Sequence, residues 1–167
     1  MAKTTYYEID PISSTAIALN DSSGTPNTEV LECSIPWEVV TKSITLVGCA
    51  TSSTIDLIGG RRSIALVLEI YSESMDSVYS KLAALDTACK GDQSVPEDPL
   101  TKGTFNFAIA IDGSTKYGFP YCRAVRIEPD LRAQYTSGGV NYRLLQQPYF
   151  TRVRIEFKSG TQSMTTL

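Results

Sequence analysis

The sequence contains no histidine. That absence removes the Ser-His-Asp triad, the Cys-His dyad and every histidine-ligated metal site. The four cysteines, Cys33, Cys49, Cys89 and Cys122, lie 16, 40 and 33 residues apart. No CxxC pair is therefore present for zinc or thiol exchange, and each cysteine reads as a buried free thiol. No apolar run approaches the roughly 18 residues of a membrane-crossing helix, and the opening MAKTTYYEID lacks the apolar core of a signal peptide. A chain made and kept in a cytoplasm, or assembled there, is expected, with no membrane partner.

A phosphate cradle is missing as well. The stretch IGGRRSIALVLEIY, residues 58–71, places two glycines and two arginines before a run of branched apolar residues. A P-loop needs Gly, four residues and Gly-Lys-Ser/Thr between a strand and a helix, whereas here the glycines lead into another strand. Without a helix N-terminus there is no dipole and no amide cluster to hold a phosphate. The stretch reads as a turn at Gly59-Gly60 followed by two solvent or subunit-contact arginines, Arg61 and Arg62. Among the 18 acids, close pairs such as Glu97-Asp98 and Glu128-Asp130 have no aromatic pocket around them that would suit glycosidase chemistry. The expectation is a non-enzymatic protein with no catalytic residues, no metal, no cofactor and no small-molecule substrate.

What is present is the material of one soluble domain. The chain has 167 residues, 42% of them hydrophobic and 20% charged, enough to bury about two thirds of the surface its unfolded form exposes. The net charge of −3 hides an asymmetry: residues 1–118 carry eight Lys/Arg against fifteen Asp/Glu, and residues 119–158 carry seven against three. A basic C-terminal sheet face could meet nucleic acid or an acidic surface. Arginine is also routine at exposed strand positions, and a pI near 5.0 argues against dedicated DNA binding.

Residues 1–42 read as a polar N-terminal arm and long loop, with NDSSGTPNTE at 20–29 offering little to bury. SITLVGCA and TIDLIGG then read as short strands, a hairpin or a pair of edge strands. Residues 64–71 carry apolar side chains on both parities, which suggests a central strand covered on both sides. The helix is the clearest element, at about residues 74–90. Ser74 suits the N-cap, Asp76 the first turn and Gly91 the residue after the end. Met75, Val78, Leu82, Leu85 and Cys89 recur at spacings of three and four, a single buried stripe. After a proline-bearing loop at 91–103, Phe105, Phe107, Ile109 and Ile111 alternate on one face of a strand, and DGS at 112–114 is a turn. Two long antiparallel strands joined by TSGG complete a C-terminal β-hairpin, with Pro129 and Pro148 at edges, bulges or bends. Residues 159–167 read as a flexible tail. The fold class expected is α+β, mostly β: an antiparallel split barrel or β-sandwich flanked by one main helix.

The order of these elements, from SIALVLEIY through SMDSVYSKLAALDTACKGD and GTFNFAIAIDG to the final hairpin, resembles the tube-type domain of tailed-phage tail proteins. That group includes tail tube proteins and the N-terminal domain of the distal tail protein, and the resemblance covers about residues 43–158. It implies a homo-oligomer, a hexameric ring in a virion tail whose inner wall is a β-barrel built from every subunit. Tail or baseplate proteins would be its neighbours, and DNA would pass without specific binding. It further implies that Arg123, Arg126, Arg152 and Arg154 pair with carboxylates of adjacent subunits, and makes Arg61 and Arg62 further candidates for the subunit interface. Two features depart from the group: the chain is too short for the second, lectin-like domain of a distal tail protein, and its polar N-terminal segment has no counterpart. Neck, tail-terminator or capsid-cementing roles are alternatives on the same scaffold. A carbohydrate-binding β-sandwich using Tyr117 and Tyr121 is another, with Phe119, Tyr142, Tyr149 and Phe150 as further stacking candidates.

Overall fold

The computed structural model describes residues 7–20, 26–38, 41–45, 52–56, 61–94, 102–112, 114–130, 149–161 and 163–167. The turns expected at Gly59-Gly60 and TSGG, most of the 91–103 loop, Cys49, Tyr142 and Pro148 lie outside the described residues. In chain order the elements are β1 (Glu8–Asp10), β2 (Ile17–Ala18), β3 (Asn27–Ser34), β4 (Trp37–Glu38), β5 (Thr41–Thr45) and β6 (Ser52–Asp56). They continue with β7 (Arg61–Ser72), α1 (Met75–Cys89), β8 (Phe105–Asp112), β9 (Thr115–Asp130), β10 (Tyr149–Lys158) and β11 (Thr165–Thr166). Pairing runs β2-β1-β8-β9-β10-β7-β3, with β11 on β9 and β4 on β7, while β5 and β6 form a separate hairpin. Among the described residues the path does not close on itself. The fold is α+β, mostly β, antiparallel, with one helix among the described residues.

The run of branched residues in β7 makes it the middle of one layer. It pairs with β10 without a register break from Tyr149↔Ser72 to Lys158↔Ser63, and with β3 on its other side. Ile64, Leu66, Leu68 and Ile70 meet Val153, Ile155 and Phe157 of β10 on the buried face. The second face is covered only in part: Ala65 and Val67, whose ladder partners are Glu156 and Arg154, are half-buried, while Glu69 and Tyr71 further along the same face are buried.

β9 joins this layer to a second one. Its first half, through Cys122, pairs with β8, and Arg123–Asp130 pairs with β10. Between the halves β9 carries one extra residue, and Tyr121 takes a positive φ of 54°. Such a bulge bends and twists a strand, so one continuous strand serves two sheets. The layers then meet through aromatic edges. Phe157 lies 5.3 Å from Phe105 and 4.8 Å from Phe107, at 68° and 72°, in the edge-to-face arrangement that aromatic quadrupoles favour.

The helix packs against β7, β10 and β9 of one layer and β1 and β2 of the other. Val78, Leu85 and Cys89 of the expected stripe are buried, Met75 and Leu82 are partly buried against the core, and Ala88 joins them. Ser74 has the extended backbone of an N-cap but makes no side-chain capping bond. Gly91 closes the helix at φ +68°, its amide donating to Ala88 O at 3.0 Å. The next amide, Asp92, donates to Thr104 O at 2.8 Å, and Gly103 donates back to Asp92 O at 2.6 Å. Both ends of the expected loop are thereby tied together.

Three expectations change in this setting. The N-terminal segment is not an arm over residues 7–19: β1 pairs with β8, and Ile9 and Leu19 are fully buried. A two- or three-residue strand leaves no periodic signal in a polar stretch. The alternation expected along β8 stops after Phe107, because an extra residue at Ile109 shifts the parity. Ala108, just before it, is buried as Phe107 is, Ile109 is half-buried and Ala110 is exposed. The C-terminal residues return to the sheet, with β11 pairing to Gly118 and Tyr117 and the Leu167 amide donating to Lys116 O at 2.9 Å.

Candidate functional site

The outward face of the layer β9-β10-β7-β3 is a lattice of charge produced by strand alternation. One row runs Asp130, Arg152, Glu69, Glu29, and the next runs Glu128, Arg154, Val67 toward Glu32. Arg152 donates from Nε at 3.1 Å and from a terminal nitrogen at 2.6 Å to the same oxygen of Glu69. The Tyr71 hydroxyl donates to the other Glu69 oxygen. These contacts hold the Arg152 guanidinium in its charged form beyond its already high ordinary value. Along the strands, Arg154 donates to Glu156 at 2.9 Å and Arg126 to Glu128. Neighbours two apart share one face of a strand.

Each of the six candidate arginines has a position in this picture. Arg126, Arg152 and Arg154 come together on the outward face and meet carboxylates of their own chain, where the resemblance had implied a neighbour's. Arg123 is exposed at the start of the outer half of β9. Arg62 stands apart from the face: its guanidinium donates to Ile35 O at 3.4 Å and its amide to Ser159 Oγ at 3.3 Å, tying the start of β7 to two other segments. Arg61 is placed by its backbone, opposite Glu38 of β4. The aromatic candidates divide between surface and interior. Tyr117, Tyr121 and Tyr149 are exposed, Phe119 is buried, and Phe150 packs on Tyr71 at 5.9 Å.

This layer has two edges. Among the described residues, β3 and the Arg123–Asp130 half of β9 each have a ladder partner on one side only. Each carries a bulge with an apolar residue at the surface. Leu31 on β3 is 42% exposed, and Val125 on β9 is 62% exposed. Beside the β9 edge an open groove of ≈ 470 Å³ runs along Val125 and Arg126, bounded by Asp86 and Lys90 at the end of α1 and by Gly103. Sequence reading reached the arginines but missed Glu69, the acid that answers Arg152 across strands, since strand register is not written in the sequence. It also missed Leu31 and Val125, because a bulge is visible only against a partner strand.

Among the described residues no three His, Cys, Asp or Glu side chains gather as a metal site, and no helix is long and apolar enough to cross a membrane. The chain matches no protein-family model, and no curated protein is significantly similar to it in sequence.

Proposed function

We propose that the protein is a non-enzymatic structural subunit of a virion tail that assembles as a ring and contributes to the wall of the channel through which DNA passes. The observation that carries assembly is the pair of edges bounding the charged layer. Edge strands are templates for pairing with another chain, and closure around a symmetry axis removes them. The tail context rests on the order of strand, helix, strand and long hairpin that resembles the tube-type domain. A face on which acids and bases alternate suits a channel, because a surface of mixed sign offers no continuous cationic track for the phosphate backbone to hold. Assembly itself is testable by electron microscopy and light scattering of the purified protein. Rings, stacked rings or incorporation into tail particles are expected, and a protein that stays monomeric at high concentration overturns the reading.

A further inference from the structure

We infer that the β3 edge of one copy pairs antiparallel with the outer half of β9 of the next, in the register that sets Glu29 opposite Arg126 and Glu32 opposite Arg123. This inference rests on the ring assembly proposed above and names the contact that makes it. The occupant of the β9 edge is thus a second copy of the chain, and the contact is head-to-tail, which permits a ring.

Charge and spacing select this register. On β3 the outward acids Glu29 and Glu32 are three residues apart, because the bulge at Leu31 lies between them. On β9 the outward bases Arg123 and Arg126 are also three apart, because the bulge at Val125 lies between them. Opposed in an antiparallel ladder, the two bulges cancel and both acid-base pairs fall on the same face. Opposite charges across a strand pair stabilise it and like charges oppose it. The unstaggered alternative continues the existing rows and sets Glu29 beside Asp130 and Glu32 beside Glu128, two like-charge pairs. The inferred register also places Pro26 opposite Pro129. Both lack a ladder donor, so the ladder runs between Asn27–Glu32 and Arg123–Glu128 and ends where both strands lose it. Arg126 already meets Glu128, and Glu29 would enter that pair as a third member.

Geometry agrees with closure. The stagger from Asp130 to Arg126 is four residues over a repeat of four strands, one residue per strand. That is the ratio found in closed eight-stranded barrels, where strands tilt by about 36°. Bulges and charges also discourage indiscriminate edge pairing, and here the matched spacing makes them permissive for one partner strand.

The test mixes two single variants of the full chain, Glu29→Cys and Arg126→Cys, under mild oxidation, with Glu29→Cys plus Asp130→Cys as the out-of-register control. Disulfide-linked dimers from the first mixture and not the second are expected. The double reversal Arg123→Glu/Arg126→Glu should abolish oligomers, and mixing it with Glu29→Arg/Glu32→Arg should restore them. Thermal unfolding confirms that each variant is folded. Oligomers that form without the 29–126 crosslink, or with crosslinking to position 130, overturn this register and leave ring assembly standing. A folded wild-type chain that never oligomerises overturns both.

Discussion

Arg152 and Glu69 face each other directly across β10 and β7, and both donated hydrogen bonds end on one carboxylate oxygen while Tyr71 holds the other. The partners differ in burial: the Arg152 side chain is 58% exposed and that of Glu69 10%. Removing the arginine leaves a nearly buried carboxylate with a hydroxyl as its remaining donor in this cluster, whereas Glu69→Gln leaves a cation that water can solvate. Arg152→Ala should therefore cost about 1–2 kcal/mol and Glu69→Gln about half of that, with the arginine's exposure keeping both values modest. Urea denaturation of the two variants and their double mutant reads the asymmetry. Equal costs, or a costlier Glu69→Gln, would show that the carboxylate is not the dependent partner.

Gly118 sits where β8 and β9 approach most closely. A Cβ on this residue would lie 1.9 Å from Phe107 O and 2.8 Å from Ala108 Cα. Backbone cannot move aside as a side chain does, so Gly118→Ala should separate the strands locally and cost about 2–3 kcal/mol, the range of core overpacking. Scanning calorimetry should show a melting temperature lower by roughly 5–10 °C for a chain of this size. An unchanged melting temperature would mean that the two strands have slack between them.

Ile12 lies at φ +67° in a tight turn whose Ser13 amide donates to Pro11 O at 2.7 Å, and its side chain is 50% exposed. A β-branched residue in that conformation is strained, and half of the side chain gains nothing from burial. Ile12→Gly should stabilise the protein by about 1 kcal/mol, through relief of a cost of about 1–2 kcal/mol offset by the greater freedom of glycine when unfolded. A lower denaturation midpoint in Ile12→Gly would refute this and assign the exposed isoleucine a packing role.

How much of this was legible in the sequence depends on whether a feature is local. The helix was, because Val78, Leu85 and Cys89 recur at helical spacing and Gly91 marks its end. The buried parity of β7 and β10 was also legible, since neither strand breaks register with the other over Ser63–Ser72. The long strand β9 was not. The extra residues at Tyr121 and Val125 each reverse which face later side chains occupy, so no single alternation describes Thr115–Asp130. The burial of Ile9 and Leu19 depends wholly on their partners. The charged face falls between: Arg154-Glu156 and Arg126-Glu128 are same-face neighbours by count alone, while Arg152-Glu69 exists only once the ladder has fixed the register.

The buried thiols give a pH dependence whose sign can be worked out. Burial is the main cause that pushes Cys89 and Cys122 from an ordinary value of 9.0 up to about 12, and Asp86 adds to the shift at Cys89. Between those values the unfolded chain releases both thiol protons and the folded chain retains them. Their contribution is therefore fully present below about pH 9 and is lost as pH rises toward 12. Other side-chain types also ionise in alkali, so the comparison must be differential. Cys89→Ala/Cys122→Ala should be less stable at pH 8 through lost packing, yet should lose less stability than the wild type between pH 9 and 11. Parallel urea midpoints across that window would contradict the assignment. So would rapid alkylation of either thiol in the folded protein at pH 8.5, because a buried neutral thiol is both inaccessible and a poor nucleophile.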